Sequence, residues 1–428
     1  MKNYNMAATK VEKADNFNQN FVLFSLSRLI SELCSSVFKF ALSLFVLDLT
    51  GSAVLFSTVL GFSILPGVFI NIFAGVLVDK AQKKKLLVFC DLLNGLFMLL
   101  LLGSLYFYSD SLTMIIIFTV CLSVVQALFS LTLNSAIPNL VPQDKVTTLN
   151  SSYQGIGALI NILGPILGAL FYKIFGLNII LLISSFAFFV ASFLQIFMKF
   201  EKPKDIPVLS SYKESFKEVY QYLQKRYVVK YLLVFVVIIN FVLTPLLSVV
   251  LPFISYQVLD LSASQLSWIQ ASWAIGFILG AALVSIKKVS NLAANKIFIL
   301  LQIQSLFFLL WNFPVFPFLG GQSNYIITLI FCAILSISGI FNALANIPML
   351  SYMQVYLPDH LRAGVLGVVN TAVQVAVPLG IWIYGLSLEY QHWSIVITVS
   401  SISLFIIGFI ANQIRSLKNF FVPITEKN

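Results

Sequence analysis

The stretch "GVLVDKAQKKKLL", residues 75–87, is a short cationic loop between two long apolar runs. The run before it covers 53–78 and the run after it covers 86–108. Each exceeds the roughly twenty apolar residues that a helix needs to cross a bilayer core. Loops rich in lysine between such runs face the cytoplasm. The stretch therefore predicts two membrane-spanning helices joined on the cytoplasmic side.

The composition of the whole chain agrees with a membrane protein. Of its 428 residues 59% are apolar and only 10% are charged, and the mean hydropathy is +0.95. Soluble domains carry about a quarter charged residues, so a soluble fold is excluded. The net charge of +10 fits membrane topology and contact with anionic lipid, and implies no nucleic-acid partner.

The same length rule predicts twelve spans and an all-α membrane protein in two pseudo-symmetric six-helix halves. The halves are predicted at 1–199 and 228–428, with a cytoplasmic linker at 200–227. "GPILG" at 164–168 and "VPLG" at 377–380 mark a faint repeat between them. The spans are predicted near 20–47, 53–78, 86–108, 112–137, 151–175, 177–199, 228–257, 264–286, 295–317, 323–350, 366–388 and 391–412.

The distribution of positive charge predicts the orientation of the spans. With both termini in the cytoplasm, the outer loops hold only Lys173 of the 26 Lys and Arg residues. Two more, Arg28 and Lys39, fall inside the first span, and all others lie in inner segments. This asymmetry is typical of cytoplasmic anchoring. We expect a multi-pass protein of a bacterial cytoplasmic membrane.

The linker contains "SYKESFKEVYQYLQKRY", residues 211–227, with apolar side chains at helical spacing. Ser211 and Glu214 suit a capping box. The pattern indicates either an amphipathic helix on the inner membrane surface or a simple tether.

The cationic loop also resembles the signature G-x-L-x-D-R-x-G-R-K of the major facilitator superfamily, with Gln82 in place of the second glycine. The resemblance implies a transporter whose loop closes the inner side of the cavity, with Asp91 completing the charge cluster. Gly75 would let two helices approach closely, and Asp79 would accept from a helix N-terminus or a cation. The residues matched to this inner gate are Gly75, Asp79, Lys80, Lys83 and Lys84.

Several stretches are similar to macrolide-efflux proteins and the related enterobactin exporters. They are "TGSAVLFS" at 50–57, "CDLLNG" at 90–95 and "LNSAIPNLVPQDKVT" at 133–147. Gly164, Pro165 and Gly168 match part of the family's fifth-span antiporter motif, and Pro378 stands at the corresponding place in the second half. These residues either serve antiport or only bend the helix and permit close packing.

The first span carries Arg28, Glu32, Ser35 and Lys39 on one helical face. A charge at the middle of a span costs about 2.5–3.5 kcal/mol, so these groups must face a bundle interior or a wet cavity. Glu32 is the only carboxylate that we place deep in a span, and it is the candidate proton site with Arg28 as its partner. A permanent ion pair that orients the helix is the alternative.

The expected function is secondary transport. No phosphate-binding loop or metal-ligand set is visible, so no cofactor is expected and a proton gradient is the energy source. We expect a monomeric exporter of small amphipathic or hydrophobic compounds that contacts membrane lipid and binds no nucleic acid. Asn240 on the seventh span, the repeat mate of the first, is a further cavity candidate. An importer, a siderophore or lipid exporter, and a membrane sensor are the alternatives.

Overall fold

The computed structural model describes residues 2–74, 78, 81–107, 112–142, 145–200, 212–315, 323–414 and 417. Side chains are described from residue 17 onward, except those of 71–73, 147, 212–217, 354–355, 359–360 and 362–363. This part of the chain is helical and contains no β-strand. The helices are, in chain order, α1 Lys2–Thr50, α2 Ala53–Phe62, α3 Leu65–Phe73, α4 Lys83–Phe107, α5 Leu112–Leu140, α6 Val146–Ile196, α7 Tyr212–Lys225, α8 Tyr227–Pro245, α9 Ala263–Val284, α10 Lys287–Asn295, α11 Ile297–Leu309, α12 Asn324–Tyr356, α13 Asp359–Tyr390 and α14 Trp393–Gln413.

Eleven stretches of the described residues are long and apolar enough to cross a membrane. One of them, Thr148–Ile196, has 49 residues and would measure about 74 Å as one straight helix, more than twice a bilayer core. Gly176 divides it with the non-helical angles φ 69° and ψ 171°, which glycine adopts without a Cβ clash. Two crossings on either side of Gly176 raise the number to twelve, and the predicted all-helical fold is confirmed.

Several spans are locally broken where the sequence pattern predicted continuous helices. The second span divides into α2 and α3, with Pro66 in the first turn of α3, where its missing N–H costs nothing. The seventh span continues beyond α8 through π-helical turns at Leu246–Val250 and Ile254–Val258. The ninth ends in a 3₁₀ segment, Leu310–Val315.

The described chain divides into two compact units, and the first comprises Met1–Thr50 and Val59–Pro207. In this unit α1 lies directly against the first part of α6, because glycines of α6 leave room for α1. Asn20 ties the start of the membrane-spanning part of α1 to two other helix ends. Its amide donates to the Leu140 carbonyl at 2.6 Å and the Lys199 carbonyl at 2.8 Å, and accepts from the Lys199 N–H at 2.9 Å.

The second unit comprises Gly51–Thr58 and Val208–Asn428. It repeats the glycine-dependent helix packing of the first unit. A Cβ at Gly380 of α13 would lie 2.8 Å from Pro245 of α8, and one at Gly280 of α9 would lie 2.7 Å from Ala343 of α12. Small residues at such positions let helix backbones meet closely in a membrane, where no hydrophobic effect drives association.

The helix α7 packs on the second unit through its apolar side. Val219 is buried against Leu357, Leu361 and Val365, whereas the neighbouring Tyr220 is exposed. The amphipathic pattern of the linker therefore serves protein packing within this unit. Ser211 of the predicted capping box lies outside the described residues, and the Glu214 side chain is also outside them.

Candidate functional site

The charged face of α1 holds a buried ion pair. Arg28 Nε lies 2.9 Å from Glu32 Oε2, and the two side chains are only 5% and 13% exposed. Their spacing of four residues places them one turn apart on the same side of the helix. Glu32 is near the middle of the 34-residue span Phe17–Thr50, at the depth where an unpaired charge is most costly.

Arg28 has further partners on the first part of α6. Its Nη1 donates to the carbonyl oxygen of Tyr153, and its guanidinium carbon lies 3.4 Å from the centre of the Tyr153 ring. A Cβ at Gly157 would lie 2.9 Å from Arg28 Nη2, so the glycine leaves space for the guanidinium. Arg28 is thus held by a carboxylate, a carbonyl and a π face at once, a combination that suits a planar guanidinium.

Glu32 is also bonded to α5. Ser130 Oγ donates to Glu32 Oε1 at 3.0 Å, and the same hydroxyl lies 3.4 Å from the Tyr153 hydroxyl. Arg28, Glu32, Ser130 and Tyr153 form a connected group, which we term the Arg28 network. It joins three helices, and both carboxylate oxygens of Glu32 have partners. The sequence indicated the pair on α1, but not Ser130 or Tyr153.

The other predicted cavity residues are not part of the Arg28 network. Lys39 follows Glu32 by seven residues, or about 10 Å along the helix. Its half-buried ammonium makes no hydrogen bond or ion pair with the residues that the structure describes. Asn240 lies in the second unit, where its amide donates to the Val236 carbonyl of its own helix at 2.9 Å.

Asp91 corrects the expectation that Glu32 is the only deep carboxylate. It is 0% exposed and stands eight residues into α4, about 12 Å along the axis. Ser31 Oγ donates to Asp91 Oδ1 and Gln195 Nε2 donates to Asp91 Oδ2, both at 2.6 Å. These partners belong to the interior of the first unit. An acidic residue more than one turn inside an apolar run was the signal that could have identified it.

The gate motif is only partly covered by the described residues. Gly75, Asp79 and Lys80 lie outside them. Lys83 Nζ donates to the Ser135 carbonyl at 2.7 Å and to Asn139 Oδ1 at 2.9 Å, near the C-terminal end of α5. A cation is favourable at that end of a helix. Lys84 is half-buried beside it.

The glycines of the antiporter-like motif lie at the contact between α6 and α1. A Cβ at Gly164 would overlap Ser36, and one at Gly168 would lie 2.9 Å from Phe40 Cβ. Pro165 and Pro378 both lie inside helices that continue past them. The motif therefore provides close helix packing in the structure, and an antiport role stays a prediction.

Comparisons with known proteins find similarity along nearly the whole chain. The chain is 24% identical over 414 residues to macrolide efflux protein A of Streptococcus pyogenes, a match that covers 95% of this chain and 99% of the relative. It resembles the solved structure of the nucleoside transporter NupG, with a TM-score of 0.64, 14% identity and coverage of 92% of this chain and 98% of that one. It also resembles a bacterial homologue of the iron transporter ferroportin in an inward-facing state, with a TM-score of 0.67, 13% identity and coverage of 91% and 98%.

The likeness to these structures concerns the fold, because the identities are low. The family model of the Major Facilitator Superfamily matches residues 24–381, which is most of the chain. An integral multi-pass membrane protein with twelve helices fits that family. The chain belongs to the Major Facilitator Superfamily and is a transporter.

Proposed function

We propose that the chain exports amphipathic or hydrophobic compounds in exchange for protons, by alternating access, across a bacterial cytoplasmic membrane with both termini inside. The observation that carries the proposal is the Arg28 network. It holds a carboxylate near the middle of the first span, bonded to Arg28 and Ser130, at a depth where ionisable groups serve function.

The proton is taken up and released at Glu32. When Glu32 is ionised, it holds Arg28 through the 2.9 Å ion pair. When Glu32 is protonated, the attraction is lost, while Arg28 keeps the Tyr153 carbonyl and ring. Protonation therefore breaks the ion pair within α1, while Arg28 stays bonded to Tyr153 of α6. Such a difference between two charge states is what allows a proton to bias a conformational equilibrium.

The similarity and the composition support the proposed substrate class. The relative named as a macrolide efflux protein matches along 95% of this chain, which supports export of a bulky amphipathic molecule. The chain contains 40 phenylalanines, and aromatic side chains suit pockets for apolar ligands. We further propose that Gly75, Asp79, Lys80, Lys83 and Lys84 form the inner gate. Asp91 is left out of it, because its partners are Ser31 and Gln195.

The proposal is tested with purified protein in liposomes that carry an imposed pH gradient and an internal pH-sensitive dye. Addition of a macrolide such as erythromycin should collapse the gradient faster with the native protein than with empty liposomes. Glu32→Gln keeps a hydrogen-bonding side chain of the same size but cannot ionise, so it should abolish the effect of the compound. Glu389→Gln, at an exposed carboxylate that accepts a hydrogen bond from Ser52, is the matched control and should respond as the native protein.

Two results would contradict the proposal. An equal response of the native protein and Glu32→Gln would place the proton site elsewhere and leave the Arg28 network as a structural link. The absence of any response to amphipathic compounds would favour an importer, or an exporter of siderophores or lipids. Accumulation of labelled compound in cells with and without the gene separates import from export.

A further inference from the structure

Asp91 is a buried carboxylate with no cationic partner in the part of the chain that the structure describes. It lies in α4 and faces α1 and α6, which supply Ser31 and Gln195. Among the described residues, the charged group that acts on it is Glu32, which is already paired with Arg28. A carboxylate removed from water without a counter-charge is strongly unfavourable, and proteins compensate it with a cation, a proton or a metal ion. Within the described residues, no positive charge balances Asp91.

Two further oxygens at this place have no hydrogen-bond donor. Gln195 Oε1 and Asn94 Oδ1 are buried and accept no hydrogen bond from the described residues, and the two side chains are 0% and 1% exposed. Gln195 is the residue whose Nε2 contacts Asp91, and Asn94 follows Asp91 by three residues on the same face of α4. Buried polar atoms are normally satisfied, so these two acceptors call for a donor or a cation that the described residues do not supply.

The amide of Asn94 lies beside both Gln126 of α5 and Asp91. Its Nδ2 donates to Gln126 Oε1 of α5 at 3.1 Å, which leaves Oδ1 as the free atom. The Gln195 amide offers a second arrangement. If it is turned over, Oε1 faces Asp91 Oδ2 across the present 2.6 Å contact, and two acceptors at that distance require a proton between them.

We propose that Asp91, Ser31, Asn94 and Gln195 form a binding site for a small monovalent cation, Na⁺ or a proton, in the first unit. The four side chains offer only hard oxygen ligands, as such ions require. The single uncompensated negative charge matches one positive charge. Both occupants neutralise Asp91. A Na⁺ ion can contact both free oxygens, whereas a proton on Asp91 can be donated to one of them. The site is separate from the Arg28 network, although Ser31 and Glu32 are neighbours in α1.

A pH titration of this site would also report the protonation of the other ionisable groups around Asp91. They are Glu32 and Cys34 of α1 and Cys90 of α4, while Gln195 of α6 and Gln126 of α5 do not titrate. Among the described residues around Asp91, Glu32 is the only second carboxylate, so the variant Glu32→Gln separates its titration from that of Asp91.

The test uses the full chain purified in detergent, without any transport substrate. Thermal unfolding is followed in NaCl, with choline chloride keeping the ionic strength constant, and the series is repeated across pH in choline alone. Binding of ²²Na⁺ to the native protein is measured directly by a scintillation proximity assay. We expect saturable stabilisation by Na⁺, because an ion that binds only the folded state raises its apparent stability.

Asp91→Asn should remove the response to the ion, and Asn94→Ala should raise the Na⁺ concentration at half-effect by about tenfold. Asn94→Ala keeps the Asp91 carboxylate, so it tests the site even if Asp91→Asn does not fold. Glu389→Gln is the matched control and should keep the native response. A second pattern of results would show that the same site holds a proton. In that pattern Na⁺ has no effect, acid stabilises both the native protein and Glu32→Gln, and acid does not stabilise Asp91→Asn.

The proposal is overturned if neither Na⁺ nor acid changes the stability of the native protein, or if Asp91→Asn responds as the native protein does. Asp91 would then be a permanent hydrogen-bond acceptor between three helices. Because no transport substrate is present, these outcomes do not depend on whether the chain exports drugs. A negative drug assay combined with positive Na⁺ binding would refute the function proposed above and leave the cation site standing.

Discussion

Replacement of Arg28 by methionine should destabilise the protein because Glu32 loses its cation. The variant removes the 2.9 Å ion pair, the hydrogen bond to the Tyr153 carbonyl and the stacking on its ring. Methionine is an apolar, flexible side chain that can fill a similar space. What remains is a carboxylate near the middle of a span with Ser130 as its hydrogen-bond donor.

The burial of the pair sets the expected size of the effect. Breaking a buried ion pair from one side costs about 3–5 kcal/mol. Glu32 is 13% exposed and keeps Ser130, so we expect a loss of about 3 kcal/mol, at the lower end of that range. The double variant Arg28→Met/Glu32→Gln leaves no uncompensated charge and should lose only about 1 kcal/mol, because replacing a whole buried pair is nearly neutral.

The two variants and Glu32→Gln form a double-mutant cycle, which isolates the interaction between the two side chains. Equilibrium unfolding in mixed micelles with increasing SDS, followed by tryptophan fluorescence, gives the three differences in free energy. We expect the losses of the single variants to exceed that of the double variant by about 2 kcal/mol or more. Additive losses, or a native-like Arg28→Met, would refute the claim that the pair is buried and coupled.

Three further predictions concern packing and the inner gate. Gly164→Ala should lower stability by about 1–3 kcal/mol because its methyl group overlaps α1, whereas Gly103→Ala, with open space around it, should be neutral or stabilising in the same unfolding assay. Lys83→Met should cost about 1–2 kcal/mol through the loss of its two hydrogen bonds to α5, while the exposed Lys85→Met should cost nothing measurable by SDS unfolding. Val219→Asp places a charge in the buried contact of α7 and should weaken its packing. Limited trypsin digestion should then cleave that helix faster than in the native protein. Equal cleavage would show that α7 is not held by this contact.

Much of the fold could be predicted from the sequence because the bilayer imposes a simple length rule. The first span was expected at 20–47 and the structure gives Phe17–Thr50. The glycine at 176 was expected to separate two spans, and its positive φ does so. The break between α2 and α3 was missed, because an apolar run that contains Pro66 has the same hydropathy whether it is one helix or two.

The candidate site was predictable only where its residues share one helix. Arg28 and Glu32 are four residues apart, and helical periodicity places them together. Ser130 and Tyr153 reach Glu32 from α5 and α6, and no local pattern indicates that approach. Asp91 was expected to complete the charge cluster of the inner loop, yet the packing of α4 turns its side chain toward Ser31.

We propose that Glu32 exchanges a proton when the protein binds its substrate. The most direct measurement follows the pH of purified protein in weak buffer with a pH indicator when erythromycin is added. We expect a change of about one bound proton per native protein molecule and none for Glu32→Gln, since that side chain cannot ionise. An equal change in both proteins, or no change in the native protein while the compound binds, would contradict the proposal.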